Sequence, residues 1–331
     1  MPELPEVETI RLGLQKTIVG KKIVKFESRD LKVVQFKPEE VEGYFIDSIE
    51  RRAKILIFNL SQKYSSSEAK PNREASESSS RLRSNNKSLL CHLKMTGQLI
   101  WEECPGEKEH CLKKSRVAGG HPSPDWVAKL PNAYTRAIFH FDDESVLFFN
   151  DLRRFGYLKL YQGIQALDPR VKPEDDKLRI LIPELSKLGP EPFSNEFTVE
   201  YLIKRASKIP NRKIKQFITD QEIIAGVGNI YVDEALFYAG ILPTRAVKDI
   251  QLSEWNKIRE SILRALELGL KYGGSSEDTY VDAFGNQGTM NEHCNVYRRT
   301  GQKCKRNGCN GVVKRITLGG RGTHYCEKCQ K

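Results

Sequence analysis

EIIAGVGNIYVDEALF (222–237) joins two helical patterns through a pair of glycines, and the reading of that joint decides the second half of the fold. Upstream, RKIKQFITDQ (212–221) sets Ile214, Phe217 and Ile218 on one helical face, and downstream IYVDEALFYAG (230–240) begins another helix. Gly226 and Gly228 allow close backbone approach, and Asn229 stands where it caps the helix that follows. Amides at such an N-terminus form an anion site. The joint therefore reads either as a tight helix–helix turn or, in a basic chain, as a seat for a nucleic-acid phosphate. Lys215, one helix earlier, adds a cation to the second reading. A third helix follows in SEWNKIRESILRALELGLKYGG (253–274), with Ser253 as N-cap and Trp255, Ile258, Ile262 and Leu266 as its apolar stripe.

Beyond these helices the chain turns strongly basic. From Cys294 to Lys331 ten lysines and arginines face one acid, Glu327, so most of the formal net charge of +11 is concentrated there and a polyanionic partner is expected. The same segment carries Cys304, Cys309, Cys326 and Cys329, two close pairs separated by sixteen residues. With no export signal in the acidic N-terminus, reduced thiolates around one structural zinc are expected rather than disulfides. Knuckles of two to four intervening residues can close a tetrahedral four-thiolate site, and His324 and Cys294 stand nearby as spare ligands. GVVKRITLGGRGTHYC (311–326) supplies two strands around a glycine turn, as a ribbon requires.

The first half reads differently. KKIVKFES, KVVQF, YFIDSIERRAKILIFNL, LLCHLKMTGQLIW, AIFHF and SVLFFN are short β-rich runs, and their alternation makes an antiparallel sheet or sandwich the expectation for residues 20–160. Ahead of them Val7, Ile10, Leu14 and Ile18 keep a helical period, with proline suited to the first turn. Three polar stretches, at about 62–86, 102–131 and 166–177, lack the apolar content to offset ordering entropy and read as disordered insertions. LGPEPFSNEF (188–197) reads as a linker. No run approaches the ~18 apolar residues of a membrane span.

MPELPEVET at the terminus, RRAK (51–54), HLKMTG (92–97), NDLRRFG (150–156), LGPEP (188–192), GVGNIY (226–231) and the four-cysteine ribbon occur in one order along nearly the whole chain. In that combination the sequence resembles the formamidopyrimidine-DNA glycosylases, bacterial enzymes that excise oxidised purines from DNA. Leu4 favours this family over the similar endonuclease VIII enzymes, which prefer oxidised pyrimidines and usually carry glycine there. The resemblance implies an α+β fold: an antiparallel β-sandwich with an N-terminal helix, then a helix–two-turn–helix module and a zinc ribbon. The expected boundaries are 1–188 for the catalytic sandwich, 189–198 for the linker, 199–293 for the helical module and 294–331 for the ribbon. It also implies a monomeric cytoplasmic enzyme, associated with the nucleoid, whose partner is duplex DNA containing oxidised purines and which has no membrane attachment.

The opening residues acquire a chemical meaning on this resemblance. Proline after an initiator methionine becomes the mature terminus, and an α-amino group, with reference pKa near 8, is neutral far more often than a lysine near neutral pH. A base must leave the stack before its glycosidic carbon can be attacked. The resemblance implies Pro2 as the attacking amine and Glu3 as the proton donor for sugar-ring opening. It assigns Lys54 and Arg321 to phosphate contact and proton delivery, and Met95, Arg153 and Phe155 to the void left by the everted base, with Arg153 facing the orphaned cytosine. Lys215 and Asn229 are expected among the DNA-binding residues, and FGNQGTMNEHCNVYRR (284–299) as a lid. Lys94, Leu152 and Arg298 depart from the family pattern, where glycine, proline and glycine are usual, and NAYTR (132–136) leaves a family histidine contact unmatched. A noncatalytic DNA-binding paralogue or an oxidised-pyrimidine glycosylase would share much of the same pattern.

Overall fold

Helix α1 (Leu4–Thr17) forms around the proline that opens the chain's first apolar period, since Pro5 occupies the first turn, where no intrahelical N–H is needed. Val7, Ile10, Leu14 and the following Ile18 are all buried, as the stripe requires. The computed structural model describes residues 2–63, 86–103, 116–120, 129–162, 182–275 and 288–331. It divides into two compact units: Pro2 and Val7–Ser186 belong to the first, Glu3–Glu6, Lys187–Ser276 and Gly288–Lys331 to the second. The sequence breaks within α1 accordingly. Leu4 joins the core of the second unit and Val7 the core of the first.

The first unit is an antiparallel sandwich. One sheet has strands β1 (Ile23–Ser28), β5 (Gly97–Glu102), β6 (Arg116–Gly120), β7 (Thr135–Phe141) and β8 (Val146–Asp151) in the order β1-β7-β8-β5-β6. The other has β2 (Phe45–Arg52), β3 (Ile55–Ser61), β4 (Lys87–His92) and β9 (Tyr157–Gln162) in the order β2-β3-β4-β9. Phe58, Leu89 and Leu158 of one sheet share a core with Phe26, Phe139 and Phe149 of the other, and the α1 stripe closes it.

Two expectations change here. The strands are not uniformly alternating: β3 and β8 are buried at every position. Their outer faces carry cores of their own, Ile55, Ile57, Leu90 and Ile182 on one sheet and Ile100, Ile138, Val146 and Phe148 on the other. The stretch 102–131 is not wholly a loop, because Arg116–Gly120 pairs antiparallel with β5, from Glu102↔Arg116 to Gln98↔Gly120. An open sheet edge offers backbone partners even to a segment with little β-pattern of its own. The insertion at 166–177 and nearly all of that at 62–86 lie outside the described residues, as do 104–115 and 121–128.

The second unit begins, after the short α2 (Pro183–Ser186) that ends the first, with α3 (Val199–Ala206), α4 (Ile214–Thr219), α5 (Asn229–Ala239) and α6 (Leu252–Lys271). Thr198 caps α3 by accepting from the Tyr201 amide at 3.1 Å, and Gly240 ends α5 at φ +75°. The predicted stripe Trp255, Ile258, Ile262 and Leu266 is buried. Its cap is not Ser253, however. Gln251 takes that place, because Glu254 returns a hydrogen bond from the Gln251 amide at 2.9 Å and also clamps Arg245 at 2.7 and 2.8 Å. The chain closes with α7 (Met290–His293) and the hairpin β10 (Val313–Leu318) and β11 (Arg321–Cys326). Within the expected lid, 284–287 lie outside the described residues. Met290, Cys294 and Val296 beyond them are buried core, held where Glu234 accepts from the amides of Asn295, Val296 and Tyr297 at 2.8–2.9 Å. The architecture is thus α+β, with the sandwich first and the helices and four-cysteine hairpin after it.

Candidate active site and nucleic-acid interface

The glycine joint is occupied by the chain's own terminus. The Ile230 amide donates to Oε1 of Glu3 at 3.0 Å, and the Leu4 amide donates to the Gly226 carbonyl at 3.1 Å. A Cβ on Gly228 would lie 2.1–2.5 Å from the Glu3 carboxyl group, and one on Gly226 would lie 2.7 Å from the Leu4 side chain, so no other residue fits at either position. The anion expected at this helix N-terminus is therefore Glu3 and not a phosphate. The N-cap is Gly228, and Asn229 is the first helical residue. Its side-chain amide instead donates to the Gly322 carbonyl at 3.0 Å, which ties α5 to β11.

A second carboxylate fixes the backbone at this point. Glu6 is buried; its Oε2 accepts from the Glu3 amide at 2.9 Å, and its Oε1 accepts from the Tyr231 hydroxyl at 2.6 Å and the Ser275 amide at 2.7 Å. Three segments far apart in sequence thus converge on one side chain. Pro2, one residue before Glu3, is buried.

In the first unit, Lys54 lies in the turn between β2 and β3 after Ala53, which has φ +54°. It is 5% exposed, so the ordinary solvated strand-edge lysine does not describe it. Arg51 anchors the turn, donating to Oε2 of Glu8 on α1 at 2.9 Å and to the Ala53 carbonyl at 3.0 Å. Arg11 and Arg51 together hold the Glu8 carboxyl below its usual range despite its burial. His92, which closes β4, is a histidine the sequence reading did not single out. Burial and the charges of Lys94 and Lys54 push its pKa down to about 3, which keeps the ring neutral. Its Nδ1 accepts from the Lys94 amide at 3.0 Å, leaving the proton on Nε2 as a donor. The motif HLKMTG already contained it.

Met95, Arg153 and Phe155, which the resemblance assigns to the vacated stack, lie together. Nη1 of Arg153 lies 3.2 Å from the Met95 sulfur, and the guanidinium lies 5.5 Å from the Phe155 ring centroid. Met95 is 45% and Phe155 53% exposed, and Leu152 adds a third apolar side chain to the surface. The buried Asp151 carboxylate organises both loops. Its Oδ1 takes the Thr96 hydroxyl and the Arg153 amide, and its Oδ2 takes the Gly156 amide at 2.7 Å. Large apolar groups raised to the surface on loops braced by one carboxylate suit insertion into a base stack. Lys94, in place of glycine, sits at φ +52°. An L-residue there is strained, so Lys94→Gly is expected to stabilise the fold by about 0.5–1 kcal/mol, read as a higher urea midpoint at unchanged slope. A lower midpoint would show that the lysine's contacts outweigh its backbone strain.

The four cysteines form a cluster whose ligand atoms all lie within 4.8 Å of one another. Cys304–Cys329 and Cys309–Cys326 are each 3.7 Å apart, close to the ~3.8 Å edge of a tetrahedron with ~2.3 Å zinc–sulfur bonds. The donor set and spacing fit one structural Zn²⁺. The spare ligands are engaged elsewhere: the Cys294 thiol donates to the Met290 carbonyl, and His324 bonds to Asp233. In the adjoining hairpin, Gly319 and Gly320 have φ +58° and +73°, and exposed Arg321 opens β11 opposite Leu318. A cleft of about 470 Å³, lined in part by Arg212, Gln216, Thr219, Gly319 and Arg321, lies beside it. Lys215, expected to face DNA, is only 2% exposed. Its ammonium meets Asp233 at 2.7 Å, the Gly322 carbonyl at 2.9 Å and the Thr323 hydroxyl at 2.8 Å. Three oxygens thus surround the ammonium inside the protein. Burial lowers its pKa and Asp233 pulls the other way.

Comparison with known proteins gives three successive family matches along the chain. The description Formamidopyrimidine-DNA glycosylase N-terminal domain matches residues 1–158, Formamidopyrimidine-DNA glycosylase H2TH domain 188–281, and Zinc finger found in FPG and IleRS 301–331. Formamidopyrimidine-DNA glycosylase from Halalkalibacterium halodurans is 34% identical over 339 residues with both chains fully covered, and that from Prochlorococcus marinus is 34% identical over 337. Among solved structures, a Lactococcus lactis FPG mutant with a Fapy-dG containing DNA superposes with a TM-score of 0.73 at 30% identity, covering all of both chains. The Lactococcus lactis Fpg with an abasic site containing DNA gives 0.72 at 30% identity over 99% of each.

Proposed function

We infer that this chain, which belongs to the formamidopyrimidine-DNA glycosylase family, excises oxidised purines from duplex DNA through a Schiff base at Pro2. Membership makes it a DNA glycosylase of base excision repair with AP lyase activity; the lesion class and the residue roles are our assignment. The Pro2 nitrogen attacks C1′ of an everted nucleotide, the glycosidic bond breaks, and the base leaves with the bonding electrons. Glu3 takes the proton that the Pro2 nitrogen sheds on attack and delivers it to the ring oxygen, which opens the sugar, and the iminium then acidifies C2′. β-Elimination removes that C2′ proton and breaks the C3′–O bond; δ-elimination removes a C4′ proton and breaks the C5′–O bond. Lys54 and Arg321 serve phosphate contact and proton delivery around the lesion. Met95, Arg153 and Phe155 fill the vacated stack, which offsets the few kcal/mol that eversion costs.

The observation that carries this reading is the seat of Glu3. A carboxylate held by the Ile230 amide, against a glycine that leaves no room for a side chain, fixes the peptide that follows Pro2. A merely capped helix start needs no such arrangement. Among the described residues no helix is long and apolar enough to cross a membrane, and the relatives are bacterial; we place the protein in the cytoplasm, as a monomer that meets the nucleoid through DNA.

Borohydride reduction in the presence of duplex containing 8-oxoguanine opposite cytosine is expected to give a stoichiometric covalent complex. Binding without any trapped species would mark a noncatalytic DNA-binding protein. Faster trapping on oxidised pyrimidines in competition would replace the lesion class while leaving the chemistry.

A further inference from the structure

Behind Arg321, Asp233 on α5 uses both carboxylate oxygens on what holds β11. Oδ1 pairs with the Lys215 ammonium at 2.7 Å, and that ammonium also binds the Gly322 carbonyl and the Thr323 hydroxyl. Oδ2 accepts from the His324 amide at 2.8 Å and faces His324 Nδ1 at 3.1 Å. A carboxylate oxygen can only accept, so Nδ1 bears the imidazole proton. The three residues directly after Arg321 are thereby tied to helices α4 and α5, and Asn229 adds a second donor to the Gly322 carbonyl. Buried ion pairs of this kind add little stability over apolar residues of the same volume; their best-attested use is to select one register. A slip of one residue along β11 would move Arg321 by ~3.4 Å and turn it to the opposite face.

We propose that Asp233 is a positioning residue for Arg321, acting through Lys215 and His324 to set the register of the zinc hairpin on the helical module. This rests on the phosphate contact and proton delivery given to Arg321 above, taken here to act on the phosphate that leaves in δ-elimination. Loss of Asp233 should therefore leave iminium formation at Pro2 in place and impair the second elimination selectively.

The test uses full-length, zinc-loaded protein and duplex with a preformed abasic site, comparing wild type, Arg321→Ala and Asp233→Asn. The readout is the ratio of β-product, a 3′ unsaturated aldehyde, to δ-product, a 3′ phosphate. Because both come from the same unreduced Schiff base, the ratio is insensitive to the fraction of protein folded. Asp233→Asn is expected to raise it at least fivefold, with borohydride trapping within twofold of wild type and one zinc per chain. Should the single variant not fold, Lys215→Met with Asp233→Leu removes both charges together and is read by the same ratio. An unchanged ratio in the folded Asp233 variant, with Arg321→Ala shifted, overturns the inference alone. Loss of trapping with zinc retained also overturns it, since Asp233 would then act on the first chemical step. An unchanged ratio in Arg321→Ala overturns the reading of Arg321 and this inference with it.

Discussion

Pro2→Gly, or protein in which Met1 has been retained, is expected to lose base excision by roughly 10³-fold or more while still binding lesion-containing duplex. The two changes act on the same atom in different ways. Retained Met1 turns the Pro2 nitrogen into an amide, which has no lone pair to offer a sugar carbon. Glycine keeps a terminal amine but replaces the secondary amine by a primary one and frees φ at the residue before Glu3. A factor of 10³ corresponds to about 4 kcal/mol of activation free energy, far more than a lost surface contact contributes. DNA binding should survive, because Met95, Phe155 and Arg321 remain exposed on elements that do not depend on the terminal nitrogen. Trapping is read by borohydride and the terminus by intact mass. Normal trapping by protein whose mass shows Met1 in place would remove Pro2 from its role.

Cys326→Ser is expected to release zinc and weaken DNA binding by at least about tenfold. Structural zinc is bound by ~10–16 kcal/mol in small modules, and that binding energy is folding energy for the segment that carries the ligands. Here the segment is the hairpin bearing Arg321, which has few apolar residues of its own: Val313 and Cys326 pack on Phe237 and Val296, and much of the remainder is charged or exposed. Serine cannot replace a thiolate in a four-sulfur site, so the other three cysteines would hold the ion poorly. Cys294→Ser supplies the contrast, since that thiol donates to the Met290 carbonyl and lies outside the cluster; it should keep one zinc per chain. Stoichiometric metal in Cys326→Ser would sink the ligand assignment.

Residues that act through local spacing are legible in the amino-acid sequence alone. The zinc ligands announce themselves because a knuckle brings its two thiolates together whatever the rest of the chain does. The α1 and α6 stripes are legible for the same reason, as helical period is a property of neighbours in sequence. The caps are less so. Ser253 and Asn229 have the right chemistry, but Gln251 with Glu254 and the seat of Glu3 at Gly228 win the two helix starts through partners that residue type alone does not reveal. Lys215 shows the same limit. A lysine in a basic chain reads as a phosphate ligand until Asp233, eighteen residues on, is seen to bury it.

What the sequence determined by itself is the chemistry that travels with the backbone: a proline directly after Met1, a four-sulfur zinc site, the order of motifs and the division into strand-rich and helical halves. What only the tertiary structure decided is which distant groups meet. Glu3 and Ile230, 227 positions apart, share one hydrogen bond, and Met95 and Arg153, 58 apart, share one surface. Such encounters depend on how whole sheets and helices pack, and no local period encodes them. The physical reason is the range of the forces involved: propensity and spacing act within a turn or a knuckle, whereas burial, ion pairing and the fit around a glycine exist only once the chain has closed on itself.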